Sequence, residues 1–160
     1  DTAKILKGSD VRFQLIGASE KDFEKYSSRV IKWDIDKMVE IIPRKAPNDL
    51  RSFIDDADVL ISTRTFGHDT PIKIFYYLSY GKCILATDCP IHNNVLNKEV
   101  AVLVQPDPKI IANTILELKA NPIIIQSLSE KAKNYFEKEF SIQSQIISYK
   151  SFFSTIITKS

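Results

Sequence analysis

The 160-residue sequence predicts an α/β fold, with about five parallel strands and helices on both faces of the sheet. Three observations carry that class. Short apolar runs alternate with segments of helical periodicity along nearly the whole chain. Cap signals stand ahead of the helical segments, at Ser19, Asn48, Thr70, Asp107, Asn121 and Ser141, and after Thr70, Asp107 and Asn121 a proline follows at once. Val59-Leu60-Ile61 is short and continuously apolar, as suits a strand buried on both faces of a parallel sheet. Strand–helix–strand units of this kind connect by right-handed crossovers, and their ligands bind outside the carboxyl ends of the strands.

Each element has its own signature. Asp1 to Gly8 reads as the end of a helix closed by a glycine, with no strand ahead of it, which is the expected look of a fragment of a longer protein. Val11–Ile16 is the first strand, with Val11, Phe13 and Leu15 on one face and Gly17 at its end. Ser19-Glu20-Lys21-Asp22 has the form of a capping box, and the helix behind it carries Phe23, Tyr26 and Val30. Met38–Ile42 is the second strand, ended by Pro43. Asn48 then caps a helix with Leu50, Phe53, Ile54 and Ala57 on one face.

Val59–Ile61 is the third strand. Thr70 as N-cap and Pro71 at the first helical position start a helix over Ile72–Tyr80, which Gly81 ends, and Cys83–Ala86 is the fourth strand. Asp88–Asn97 is polar and irregular, with room for one helical turn, and Val100–Val104 is the fifth strand. Three helices close the chain. The first carries Ile111, Ile115 and Leu118, the second Ile124, Leu128, Ala132, Tyr135 and Phe136, and the third Ile142, Ile146, Tyr149, Phe153 and Ile156.

Composition narrows the function classes. With 44% hydrophobic and 26% charged residues, positions 1–160 fit a single domain with a proper core. A formal net charge of +2, with no block of like charges, argues against a nucleic-acid partner. Lys131, Lys133 and Lys138 alternate with Glu130, Glu137 and Glu139, which reads as a solvated helix face. Cys83 and Cys89 form no framework, and Cys83 reads as a small buried hydrophobe. Without a signal peptide or an apolar run of spanning length, the expected location is cytoplasmic. The four glycines, at 8, 17, 67 and 81, make no Gly-rich phosphate loop, which argues against dinucleotide-binding and Walker-type sites.

The chemistry therefore falls to the loops at the carboxyl edge, which begin at Gly17, Pro43, Thr63, Thr87 and Gln105. Arg64-Thr65-Phe66-Gly67-His68-Asp69-Thr70 gathers a cation, a histidine and a carboxylate. Backbone N–H groups of Thr70 and Ile72, with Lys73 or Arg64 as a point charge, suit a nucleoside diphosphate. An ordinary polar loop with an ordinary N-cap is the alternative, and His68 alone reads as a solvated loop residue. Asp55, Asp56 and Asp58 lie at the other edge of the sheet and read as structural. Asp34-Ile35-Asp36, a pattern that can hold a metal elsewhere, falls ahead of a strand and reads as a solvated loop, so no metal site is expected.

In this arrangement the chain resembles the carboxyl-terminal domain of family 4 glycosyltransferases of the GT-B fold. The likeness is carried by Ala57-Asp58-Val59 with Leu60-Ile61-Ser62, by Thr70-Pro71-Ile72-Lys73-Ile74-Phe75-Tyr76-Tyr77-Leu78-Ser79-Tyr80-Gly81-Lys82, by Leu103-Val104-Gln105-Pro106-Asp107 and by Glu139-Phe140-Ser141. The resemblance implies a Rossmann-like domain that lacks the usual, central first strand, and half of a two-domain enzyme. It implies a nucleotide-sugar donor whose diphosphate meets Thr70 to Lys73 and whose base meets Pro43, Arg44 and Lys45. It implies sugar transfer with retention, without a metal or other cofactor, and with the catalytic groups on an amino-terminal domain. Peripheral membrane contact of the longer protein stays open.

Two departures qualify the likeness. Tyr76 stands where the family has a glutamate for the ribose, and a second family glutamate falls near His68 or Asp69. Tyr76 can make one hydrogen bond to a ribose hydroxyl but not a bidentate pair. The family's Gly-Arg and Lys, which face the phosphates, belong to the strand and helix that this chain lacks. The fragment alone is expected not to transfer sugar. A non-catalytic relative with the same fold is the alternative reading. A receiver or flavodoxin-like domain is disfavoured by Gly17-Ala18-Ser19 where an acidic cluster is needed, and nothing selects a sugar-nucleotide epimerase.

Overall fold

A computed structural model describes residues 1–157, with side chains to residue 154, so the expected domain end at 160 and the facing of Ile156 lie outside the described residues. The elements are α1 (Thr2–Ile5), β1 (Phe13–Ala18), α2 (Glu20–Lys32), β2 (Val39–Pro43), a 3-10 turn (Pro47–Asp49), α3 (Leu50–Asp56), β3 (Val59–Ser62), α4 (Lys73–Ser79), β4 (Cys83–Thr87), α5 (Pro90–Asn93), β5 (Val102–Val104), α6 (Pro108–Ala120), α7 (Pro122–Glu139) and α8 (Ile142–Ile157). The α/β class holds, and every strand pairing is parallel. The five strands lie in two sheets, however, of order β1-β2 and β3-β4-β5, rather than in one. Apolar periodicity identifies strands but not their lateral partners, and no ladder joins β1 to β3.

The chain divides into two compact units. The first comprises residues 1–56 and 105–120. In it Phe13, Leu15 and Ile16 pair with Val39, Ile41 and Ile42, and the register shifts between Ile16 and Ala18. Gly17, at φ +104, takes up that shift in a conformation closed to most side chains. Ser19 caps α2 as predicted, its hydroxyl accepting the Asp22 N–H while donating to the Asp22 carboxylate at 2.7 Å. Asp107 likewise accepts the N–H groups of Lys109 and Ile110 at the start of α6. Asn48 does not cap: it lies inside the 3-10 turn, whose Pro47 already fixes the helical φ ahead of α3. Leu15, expected on the apolar face of β1, is 45% exposed.

The second unit comprises residues 57–104 and 121–160, described here to residue 157. Its core is Ile74 and Leu78 of α4, Ile84 and Ala86 of β4, Leu96, Val100, Ala101 and Ala132 of α7. Tyr77, Tyr135, Phe136 and Phe140 pack against it, and Phe140 meets Phe75 and Tyr135 edge-on. β4 is buried along its whole length and β3 on alternate residues, as befits the centre and edge of a three-stranded sheet. Cys83 is fully buried, and burial pushes its thiol up to about 11.

Candidate functional site

The loop from Thr63 to Ile72 leaves the carboxyl end of β3 and enters α4. Its residues from Thr63 to Asp69 are exposed. α4 starts later than the proline predicts. Lys73 is its first residue, Ile72 holds the N-cap position without a side-chain cap, and Thr70 caps nothing. The entry is a tight turn of three-residue bonds, Ile74 N–H to the Pro71 carbonyl at 2.9 Å and Phe75 N–H to the Ile72 carbonyl at 3.1 Å. Among the described residues, the backbone N–H groups of Thr70 and Ile72 meet no acceptor. No side-chain cap stands beside them.

Arg64 and Lys73 come together here. Burial, and then the charge of Arg64, lower the Lys73 pKa below its usual value. Among the described residues neither cation pairs with a carboxylate. Lys73 leans over the Tyr77 ring, its Nζ 6.0 Å from the centroid. The Arg64 side chain bends back on its own loop, Nε donating to the Phe66 carbonyl at 2.8 Å. Gly67 makes that bend feasible: at φ +132 a Cβ there would lie 2.7 Å from the guanidinium. His68 and Asp69 sit on the exposed loop, Tyr76 is 55% exposed, and Ile72 is 73% exposed.

Pro43, Arg44 and Lys45, expected at the base, belong to the first unit. They follow β2 and are exposed, and the Arg44 N–H bonds to the Ala18 carbonyl at 3.1 Å. That puts them at the carboxyl end of β1 and β2, the edge at which they were expected. Asp34 of the Asp34-Ile35-Asp36 stretch is exposed and pairs with Lys7, which holds its carboxyl below the ordinary value.

A buried polar cluster lies behind the loop, and periodicity gave no hint of it. His92 of α5 is 0% exposed. Its Nδ1 lies 2.8 Å from the Thr87 carbonyl, which can only accept, so Nδ1 carries the proton. With that proton on Nδ1, Nε2 accepts from the Ser62 hydroxyl at 2.9 Å. Thr87 Oγ1 donates to the Arg64 carbonyl at 2.6 Å, and Cys89 Sγ donates to the same oxygen at 3.5 Å. The one sequence signal for this cluster is Pro90, a helix starter just past a strand end, which brings His92 back over that end.

A family model described as glycosyl transferases group 1 matches residues 1–121. The chain belongs to that family. A search among curated proteins finds no match. Among solved structures, a glycosyltransferase from Rickettsia africae superposes with a TM-score of 0.82 at 14% identity, over 99% of this chain and 43% of that one. Anabaena HepE in complex with UDP-glucose gives 0.78 at 14%, over 93% and 43%. The C-terminal domain of a group 1 glycosyl transferase from Francisella tularensis gives 0.73 at 16%, over 88% and 76%. At such identities the likeness speaks for the fold alone, and that fold is the carboxyl-terminal, Rossmann-like domain of GT-B glycosyltransferases. The chain spans about two fifths of the first two proteins. No helix among the described residues is long and apolar enough to cross a membrane.

Proposed function

We propose that this chain is the donor-binding half of a glycosyltransferase that moves a sugar from a nucleotide-sugar to an acceptor, with retention and without a metal. One observation carries the reading: Arg64 and a partly buried Lys73 stand together, without a carboxylate, beside the free N–H groups of Thr70 and Ile72. Holding two like charges close without a counter-ion costs free energy, and a diphosphate would relieve it. Anabaena HepE, a structural neighbour, binds UDP and UDP-glucose, which supports a donor of that chemistry.

In this reading Thr70, Pro71, Ile72, Lys73 and Arg64 serve the phosphates, and Tyr76, His68 and Asp69 the ribose or sugar. Pro43, Arg44 and Lys45 serve the base. Residues 1–160 form one cytoplasmic domain of a longer enzyme. An amino-terminal domain supplies the catalytic groups, and the family's first strand supplies further phosphate cations. Peripheral membrane contact would belong to that longer enzyme, and the fragment alone is inactive. Calorimetry with UDP, GDP and ADP and their sugars, on the protein with its preceding segment restored, tests the reading. Binding of at least one is expected, and binding of none would sink it.

Tyr76 favours a second reading, a non-catalytic relative that kept the fold as an interaction or regulatory domain. It lacks the carboxylate that would grip a ribose. Sugar transfer by the complete protein would rule that reading out.

A further inference from the structure

We propose that His92 is a positioning residue, which through Thr87 fixes the Arg64 backbone and so aims the Arg64 guanidinium. The proposal relies on the donor-site reading for what Arg64 does, and not for how Arg64 is held.

Burying an imidazole costs free energy unless both nitrogens find partners, and an apolar side chain would fill this space without that requirement. Here both nitrogens are engaged, and they set the direction of the remaining protons. The Nδ1–H lies 2.8 Å from the Thr87 carbonyl and 3.1 Å from Thr87 Oγ1, so it faces lone pairs on both oxygens. With Oγ1 accepting from His92, the Thr87 hydroxyl proton has to point elsewhere, and the Arg64 carbonyl lies 2.6 Å away. On the other side of the ring, Ser62 ties His92 to the last residue of β3, just before the loop leaves the sheet.

The result is a chain of fixed donors. It runs from Ser62 at the end of β3 through His92 to Thr87 at the end of β4, and from there to a loop that is otherwise exposed. Arg64 is the only residue of that loop reached by this cluster among the described hydrogen bonds. Its main chain is thus held from below, while its side chain is folded over Gly67 from above. A main-chain anchor of this kind narrows the region in which the charge is presented to a ligand, while the exposed side chain keeps its rotamer freedom.

Thr87→Val tests this, because it keeps the shape and removes the donated proton, while Thr87→Ser keeps the donor. Three readouts are combined: trypsin cleavage after Arg64, titration of Lys73 by NMR, and UDP affinity by calorimetry. Thr87→Val is expected to speed cleavage after Arg64 by about tenfold, with cleavage after Lys150 unchanged, since only the local opening is altered. It should also raise the Lys73 pKa, as Arg64 moves away, and weaken UDP binding by about tenfold. Thr87→Ser should restore all three. His92→Asn is read beside these, against wild type, and should speed cleavage after Arg64 as Thr87→Val does; a folded His92→Asn cleaved there as slowly as wild type would overturn the role of His92.

Cleavage and Lys73 titration both unchanged would overturn the proposal, even in a protein that binds UDP. A wild type that binds no UDP, with the loop still freed by Thr87→Val, would overturn the donor reading and support the clamp.

Discussion

Gly81 faces Lys133 so closely that a Cβ at position 81 would lie 2.9 Å from the Lys133 Cβ. The same glycine, at φ +62, closes α4: its N–H bonds to the Leu78 carbonyl, and the Lys82 N–H reaches the Tyr77 carbonyl. The helix stop and the α4–α7 packing are therefore one requirement. Gly81→Ala should cost about 2–3 kcal/mol, combining a left-handed side chain with a clash that neither backbone can escape. Thermal unfolding should show a drop of roughly 6 °C. Gly8, at φ +86 with open space around it, provides the control. Gly8→Ala should cost only about 1 kcal/mol, from strain alone.

Lys73 should titrate below 10.5 in the folded protein, because burial and then Arg64 disfavour its charge. Where the folded pKa lies below the unfolded one, the unfolded state binds more protons in the window between them. Stability then rises with pH from the folded value up to 10.5. Lys73→Met removes the burden of a partly buried charge and should not lower the unfolding midpoint at pH 7, while on the donor-site proposal it should abolish diphosphate binding. A Lys73→Met variant that binds UDP as wild type does would count against the site.

On the donor-site proposal, Tyr76→Glu should strengthen binding of nucleoside diphosphates by about tenfold, since position 76 is exposed and a carboxylate there would accept from both ribose hydroxyls. Inorganic diphosphate, which has no ribose, should gain nothing. An unchanged UDP affinity would favour the non-catalytic reading.

Cys83 and Cys89 should differ sharply towards iodoacetamide at pH 8. Cys83 is fully buried with a thiol near 11, whereas Cys89 is partly exposed at the start of α5. Mass spectrometry should find Cys89 labelled first and Cys83 only as fast as the protein opens. The folded thiol pKa lies above the unfolded value of 9.0, so its contribution is complete below pH 9 and is lost as pH rises towards about 11. Cys83→Ala should flatten that alkaline fall, measured by urea unfolding across the window.

Much of the fold could be read in advance, because burial has a period. Val59–Ile61, Cys83–Ala86 and the long helices follow from apolar spacing, and Ser19, Asp107 and Ser141 from the chemistry of caps. What lacked a period was harder. The Thr70-Pro71 pair has the look of a helix start, yet the chain first runs through i→i+3 turns over residues 71–75, and such turns depend on tertiary packing rather than on residue type. Which strands pair, and that β1-β2 and β3-β4-β5 form separate ladders, depends on packing beyond any one strand and leaves no mark in its sequence. The His92 cluster leaves no mark in local sequence because Ser62 and Arg64 lie on one stretch of chain and Thr87, Cys89 and His92 on another, and only the closure of β3 on β4 unites the two.

The bend of Arg64 onto the Phe66 carbonyl has a consequence for time as well as for place. On the donor-site proposal, an arriving anion would either use the guanidinium N–H groups left over or wait for Nε to let go. Exposed side chains exchange rotamers in picoseconds to nanoseconds, far faster than any solute reaches them at ordinary concentrations. The bond at 2.8 Å therefore taxes the strength of capture and leaves its speed alone. Mixing experiments should see a single encounter step whose rate rises in proportion to ligand concentration, with no plateau to mark a slow release of the arginine.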